Sequence, residues 1–128
     1  MIVLDASVLI GHLDARDPHH AAATALLEAS GAESLGASTI TLAETLVAPA
    51  RAKRLDQAKA ALKRLGVEEL ELGEDAPARL ATLRAATGRK LPDCCVLAAA
   101  QQLGGSVASF DDGLRKAARR LELAVRDE

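Results

Sequence analysis

The chain has 128 residues, enough for one domain with a single core and short for two. Hydrophobic residues make up 49% of the sequence and charged residues 27%, and no apolar run approaches the roughly 18 residues that a membrane span needs. The net charge of −2 argues against a generic nucleic-acid binder, since such proteins are usually basic. We therefore expect one domain over residues 1–128. The N-terminus lacks a secretory leader pattern, which predicts a cytoplasmic location.

Strand and helix signals alternate along the whole chain. Short apolar or alternating runs predict strands at residues 2–4, 35–38, 67–72, 106–109 and 123–125. Helix formers with Gly or Pro at the boundaries predict helices at residues 6–13, 18–30, 39–48, 54–65, 75–87, 92–103 and 111–121. The third of these helices should end before Pro49. The alternation predicts an α/β three-layer sandwich, in which a parallel sheet of about five strands is flanked by helices.

The two cysteines, Cys94 and Cys95, are adjacent in a predicted helix. Neighbouring side chains on a helix point about 100° apart, which is a poor geometry for a disulfide, so both are predicted to be free thiols. His12, His19 and His20 lie far from the cysteines without ligand-like spacing, so the sequence gives no indication of a zinc site.

Three aspartates stand where predicted elements meet. Asp5 and Asp111 each follow a strand and precede a helix, and Asp93 lies in the first turn of an apolar helix. Each could simply cap its helix, although Asp112 could cap in place of Asp111. Because ligands of parallel sheets bind outside the carboxyl ends of the strands, these acids are predicted to meet in one crevice. Converging carboxylates favour a hard cation such as Mg²⁺.

Glu44 is the fourth candidate, and its helical neighbours make it unusual. Ile40 and Val47 stand at positions i−4 and i+3, so the three side chains share one face of the predicted helix. A surface helix would not place Glu on its apolar face, so Glu44 is expected to be buried. A buried carboxylate needs a partner or a cation, because an uncompensated buried charge is costly. We therefore predict that Glu44 belongs to the same site.

Hydroxyl residues accompany three of the four acids. Ser7 follows Asp5 by two residues, Thr41 precedes Glu44 by three, and Ser109 precedes Asp111 by two. Hydroxyl groups often hold carboxylates in position around a metal, and we predict this supporting role for Ser7, Thr41 and Ser109.

Most basic residues cluster in three segments, at residues 51–64, 79–90 and 115–120. Such clusters can hold a phosphate backbone beside an acidic pocket, although each is also consistent with a solvated helix face. Arg84, Arg89 and Lys90 come just before Asp93 and are the best candidates for contacts with a phosphate backbone. Phe110 is the one aromatic residue, so recognition by base stacking is not expected to dominate.

Four segments, IVLDASVLI, TLAE, LPDCCVLAAA and SFD, resemble the four acidic motifs of the PIN domain, and particularly of its VapC toxin branch. The similarity runs from Met1 to Val125. It implies a ribonuclease that uses Mg²⁺ or Mn²⁺, with Asp5, Glu44, Asp93 and Asp111 as catalytic residues and Asp5 and Asp93 as direct metal ligands. It also implies a VapB-type antitoxin that blocks the acidic groove, and a homodimer.

Two questions stay open at this point. Four acids exceed what one Mg²⁺ needs, so Glu44 and Asp111 would either help to hold a second ion or position the attacking water. The alternative to an enzyme is a catalytically silent PIN-like module that binds RNA or protein. A phospho-acceptor receiver is disfavoured because paired acids after the first strand are missing, and a haloacid-dehalogenase-like phosphatase because Ser7 stands where a second Asp is required.

Overall fold

The computed structural model describes residues 1–126, which form four strands and seven helices. The strands are β1 (Ile2–Leu4), β2 (Leu35–Ser38), β3 (Val67–Leu70) and β4 (Ser106–Ala108). The helices are α1 (Ala6–Leu13), α2 (His20–Ala29), α3 (Thr39–Arg51), α4 (Leu55–Leu65), α5 (Ala76–Thr87), α6 (Leu91–Leu103) and α7 (Asp112–Arg120). Most of the elements predicted from the sequence are confirmed, with boundaries shifted by one or two residues.

All four strands are parallel, in the order β3-β2-β1-β4. The central strand β1 pairs with both neighbours, so that Ile2 lies opposite Leu35 on one side and Ser106 on the other. The predicted α/β architecture with a parallel central sheet is therefore confirmed. The sheet has four strands in the described part of the chain instead of about five.

Alternate residues of β1 enter two separate hydrophobic clusters, one on each face of the sheet. Ile2 and Leu4 pack with the buried side chains of α1 and α2, whereas Val3 packs with those of α6 and α7. This is the period of two that a strand buried on both faces imposes. Helices cover both faces of the sheet, as the three-layer sandwich requires.

Helix α3 extends through Pro49, and the prediction that it ends before this residue was wrong. Pro49 lacks the N–H that would donate to the Thr45 carbonyl, and because it stands in the last turn of α3, little of the helix follows the position that it disrupts. The chain regains hydrogen bonds at once, since the Ala52 amide donates to the Ala48 carbonyl at 3.0 Å and the Arg54 amide to the Pro49 carbonyl at 2.8 Å.

Two strands are shorter than the sequence pattern suggests. Strand β3 ends at Leu70 instead of Leu72, just before the positive φ of 83° at Gly73 turns the chain. The predicted strand at residues 123–125 reduces to one parallel bridge between Val107 and Val125. In that bridge the Val107 amide donates to Ala124 and the Arg126 amide donates to Val107, both at 2.8 Å.

The strand order fixes where a ligand can enter. The chain moves from β1 to β2 and β3 on one side and then returns to place β4 on the other side of β1. This reversal creates a crevice outside the carboxyl ends of β1 and β4, which is where open parallel sheets bind ligands. Asp5 directly follows β1, and Ser109 directly follows β4. None of the helices within residues 1–126 is long and apolar enough to cross a membrane.

Candidate active site

Asp5 lies at the bottom of the crevice with 8% of its surface exposed. It precedes α1 in an extended conformation, yet its side chain makes no capping hydrogen bond to that helix. Instead its Oδ2 accepts hydrogen bonds of 2.8 Å from both Ser7 Oγ and Ser109 Oγ. Helix capping therefore does not account for this carboxylate. Ser7 contacts Asp5 as its position in the sequence suggests, whereas Ser109 donates to Asp5 and not to the neighbouring Asp111.

The same two hydroxyl groups accept hydrogen bonds from the segment after β4. The Phe110 amide donates to Ser7 Oγ at 3.1 Å, and the Asp111 amide donates to Ser109 Oγ at 3.0 Å. Each serine thus donates to Asp5 and accepts from a backbone amide, which fixes its hydroxyl proton. The network ties the β1–α1 junction to the β4–α7 junction.

Glu44 also lines the cleft, from an exposed face of α3. Ile40 and Val47, which share that face, are each 45% exposed, so the expectation of a buried Glu44 was wrong. The buried side of α3 carries Thr41 and Thr45 instead. Partial shielding from water nevertheless raises the pKa of the Glu44 carboxyl, and the negative charges of Asp5 and Asp93 raise it further. Glu44 is therefore electrostatically linked to two of the other acids.

Asp93 lies in the first turn of α6 and forms an ion pair with Arg89. Nε and Nη2 of Arg89 both donate to Asp93 Oδ2, at 3.0 and 2.7 Å. Burial raises the pKa of Asp93, the bond and charge of Arg89 lower it, and the charges of Asp5 and Asp111 raise it again, with a net upward shift. Conversely, the hydrogen bond with Asp93 raises the pKa of Arg89, so the guanidinium remains charged.

Asp111 uses its two carboxylate oxygens for different purposes. Oδ1 accepts from the amides of Gly113 and Leu114 at 2.8 and 3.2 Å and so caps α7. Oδ2 accepts from Arg89 Nη2 at 3.1 Å. The idea that Asp112 would take over the cap was wrong, because a residue already inside the helix cannot reach back to these amides as Asp111 does.

The other predicted side chains divide between the cleft and its surroundings. Thr41 is fully buried and pairs with Ser38 Oγ at 3.0 Å, so it supports the start of α3. Arg84 Nη1 donates to the Arg89 carbonyl at 3.2 Å, next to the cleft. Lys90 lines the cleft itself. Arg89 pairs with both Asp93 and Asp111. Because Arg89 precedes α6, the rule for side chains four residues apart within one helix does not predict these contacts.

A cleft of about 370 Å³ opens between these side chains, with walls formed by Glu44, Gly88, Arg89, Lys90, Pro92, Asp93 and Asp111. Asp5 is buried and is not one of these lining residues, but its charge raises the pKa of both Glu44 and Asp93. A larger depression of about 550 Å³ is lined by Met1, Ser106 and the segment after α7, at the amino ends of β1 and β4. Chemistry based on the acids therefore belongs to the smaller cleft. Cys94 and Cys95 are buried free thiols, as predicted.

The oxygen donors of the cleft suit a hard divalent cation such as Mg²⁺ or Mn²⁺. As the side chains stand, however, no three His, Cys, Asp or Glu residues within residues 1–126 form a ready ligand group. Arg89 is the cation that Asp93 and Asp111 share in this structure. The donor chemistry therefore fits a metal ion, while the present arrangement of these two carboxylates fits a guanidinium.

A family model described as the PIN domain matches residues 2–120. Similar solved structures include a toxin-antitoxin complex from Klebsiella pneumoniae, with 24% identity, 87% of both chains covered and a TM-score of 0.74. Another is the sarcin-ricin loop cleaving toxin VapC20 from Mycobacterium tuberculosis, with 24% identity, 91% of this chain and 95% of that chain covered, and a TM-score of 0.74. FitAcB from Neisseria gonorrhoeae is 25% identical over 99% of this chain and 97% of its own, with a TM-score of 0.72.

The family model confirms the predicted resemblance to PIN domains. At this low sequence identity, the similar solved structures show a shared fold. No functionally curated protein matches the chain.

Proposed function

The chain belongs to the PIN-domain family, and on that premise we propose that it is a metal-dependent endoribonuclease of the VapC toxin type. It would hydrolyse phosphodiester bonds of RNA with Mg²⁺ or Mn²⁺. One observation carries this proposal: Asp5, Glu44, Asp93 and Asp111 gather at the crevice where the strand order reverses, and three of them line one cleft. Partial burial raises the pKa of Glu44, and the negative charges of Asp5 and Asp93 raise it further; this repulsion between carboxylates means that the site favours a cation.

Within this site we assign Asp5 and Asp93 as the metal ligands. Ser7 and Ser109 hold Asp5 Oδ2 in place, which leaves Oδ1 free of their hydrogen bonds. A bound divalent cation would lower the pKa of a coordinated water and offset the charge of the phosphate. Glu44 and Asp111, on either side, would position the water or help to hold a second ion. A histidine base is not required.

Phosphate contacts come from the rim of the cleft. Lys90 lines it, and Arg84 adjoins it through its hydrogen bond to the Arg89 carbonyl. Both side chains are exposed, so they can reach a backbone that crosses the acids. The similarity to a sarcin-ricin loop cleaving toxin supports cleavage of a nucleic acid by this chain.

The proposed partner is a VapB-type antitoxin that covers the cleft. Similar structures include a toxin-antitoxin complex and the FitAB pair bound to DNA, which supports a toxin role with a neutralising partner. We further propose that the chain acts in the cytoplasm and forms a homodimer.

The proposal is tested by RNA cleavage with protein freed of antitoxin, in Mg²⁺ or Mn²⁺ and again in EDTA. We expect cleavage with either metal and none in EDTA, and we expect Asp5→Asn and Asp93→Asn to reduce the rate by at least about 100-fold. Asp112→Asn is the matched control, since Asp112 is adjacent to Asp111 but its side chain is 85% exposed and pairs with Arg115. RNA binding without metal-dependent cleavage would instead indicate a silent PIN-like binding module.

A further inference from the structure

Arg89 is placed as the positive centre of the acidic cleft. Its guanidinium donates twice to Asp93 Oδ2, at 3.0 and 2.7 Å, and once to Asp111 Oδ2 at 3.1 Å. Only 29% of its side chain is exposed. The two carboxylates come from the starts of α6 and α7, so the guanidinium also joins these helices.

Gly113 provides the space that Arg89 occupies. A Cβ atom at residue 113 would lie 2.3 Å from Arg89 Nη1 and 2.9 Å from its Cζ, closer than real contacts allow. The glycine lies in the first turn of α7, where the backbone is helical and suits any L residue. Its missing side chain is therefore explained by the proximity of Arg89 and not by backbone conformation.

We propose that Arg89 is a resident counterion of this cleft, seated by Gly113, which must leave Asp93 and Asp111 before these carboxylates can serve a divalent cation. The inference rests on the proposed function and adds a regulatory element to it. While its guanidinium contacts Asp93 and Asp111, Arg89 offsets the negative charge of both carboxylates in the absence of metal. Once it is released, its guanidinium becomes available for a phosphate group at the rim.

The competition has a measurable consequence. When only a fraction of the molecules has the carboxylates free, the apparent dissociation constant equals the intrinsic one divided by that fraction. Any change that unseats Arg89 should therefore tighten metal binding, even if the positive charge remains in the protein. This separates displacement of Arg89 from a general change in the electrostatic potential.

The test is a calorimetric titration with Mn²⁺, without RNA, of the wild-type chain, Arg89→Gln, Gly113→Ala and Lys90→Gln. We expect Arg89→Gln to bind Mn²⁺ about fivefold tighter or more. Gly113→Ala should also bind more tightly, because its new methyl group pushes the guanidinium out while the charge is kept. Lys90→Gln removes one positive charge from the same cleft without breaking the contact of Arg89 with the acids, so it should change the affinity little.

The outcomes separate this inference from the proposed function. If the wild-type chain binds Mn²⁺ and neither Arg89→Gln nor Gly113→Ala binds it more tightly, Arg89 is not a competitor, and the metal-dependent nuclease stands without it. If Lys90→Gln gains as much affinity as Arg89→Gln, the effect is general electrostatics and the seat at Gly113 has no role. Absence of Mn²⁺ binding in all four proteins would overturn both proposals.

Discussion

Ser109 Oγ donates a 2.8 Å hydrogen bond to Asp5 Oδ2 and so joins residues that stand 104 positions apart in the chain. The contact exists because β1 and β4 pair in register, with Leu4 opposite Ala108, which brings the ends of the two strands together. The orientation of Asp5 therefore depends on Ser109, which directly follows β4. The geometry of two acids depends on one pair of adjacent strands.

Replacement of Ser109 by alanine is expected to lower the free energy of unfolding by about 1–2 kcal/mol, because a nearly buried carboxylate loses one of its two hydroxyl donors. The effect can be measured by urea denaturation, and a double-mutant cycle with Asp5→Asn isolates the coupling between the two side chains. Ser106→Ala is the matched control, since it makes the same change at the opposite end of β4. Equal losses in Ser109→Ala and Ser106→Ala would contradict a specific bond to Asp5.

Mn²⁺ should stabilise the fold, because it binds the native cleft and not the unfolded chain. At a free concentration of 100 times the dissociation constant the gain is about 2.7 kcal/mol, which corresponds to a rise of several degrees in melting temperature. Asp5→Asn should abolish the rise by removing a proposed ligand. Asp112→Asn should keep it, since this side chain is exposed and pairs with Arg115. A wild-type melting curve that Mn²⁺ leaves unchanged would count against the site.

The positions of Asp5 and Asp111 could be predicted because strand ends are local features. A short apolar run such as residues 2–4 predicts a buried strand, and parallel strands bring their carboxyl ends to one edge. The sequence places Ser7 beside Asp5 and Ser109 beside Asp111, but in the structure both hydroxyl groups donate to Asp5. The contact of Ser109 with Asp5 could not be predicted locally, because it depends on the pairing of β4 with β1.

Features that depend on packing were less accessible. The sequence correctly predicts that Glu44, Ile40 and Val47 share a face of α3, but which face points inward depends on the sheet beneath. The buried positions of α3 are instead those of Thr41 and Thr45, which are 0% and 2% exposed. Likewise, the contact of Arg89 with Asp111 spans 22 residues and depends on how α6 and α7 meet. Gly113 was missed because its role appears only beside Arg89.

Glu44→Gln is expected to stabilise the metal-free protein at neutral pH. Because the folded-state pKa of Glu44 lies above its ordinary value of 4.5, the unfolded chain ionises first as the pH rises, and the folded state loses stability through that interval. Below the ordinary value the group is protonated in both states and the loss disappears. The variant should therefore melt about 1–2 °C higher than wild type at pH 7 and equally at pH 4, a small effect because the side chain is largely exposed to solvent.

The control for this pH dependence is Glu68→Gln, which removes one negative charge from an exposed position of β3 outside the cleft. Melting curves of all three proteins are recorded in EDTA at both pH values. If Glu68→Gln gains as much as Glu44→Gln at pH 7, the gain reflects the net charge of the chain and not the proximity of Asp5 and Asp93.

Lys90→Ala is expected to weaken RNA binding in a manner that depends on salt and not on RNA sequence. We propose that Lys90, which lines the acidic cleft, contacts a phosphate group. Each phosphate contact with a single strand contributes roughly 0.7 to the slope of log affinity against log salt. Binding is measured in the Asp5→Asn background, so that RNA is not cut, between low and high salt. The magnitude of this slope should fall by about 0.7 in Lys90→Ala, and the decrease should be the same for unrelated RNA sequences.

Lys63→Ala is the matched control, because Lys63 lies in the last turn of α4, which leads to the opposite edge of the sheet. A slope that Lys90→Ala leaves unchanged, or that Lys63→Ala lowers equally, would exclude Lys90 as a phosphate contact and place the RNA away from this rim.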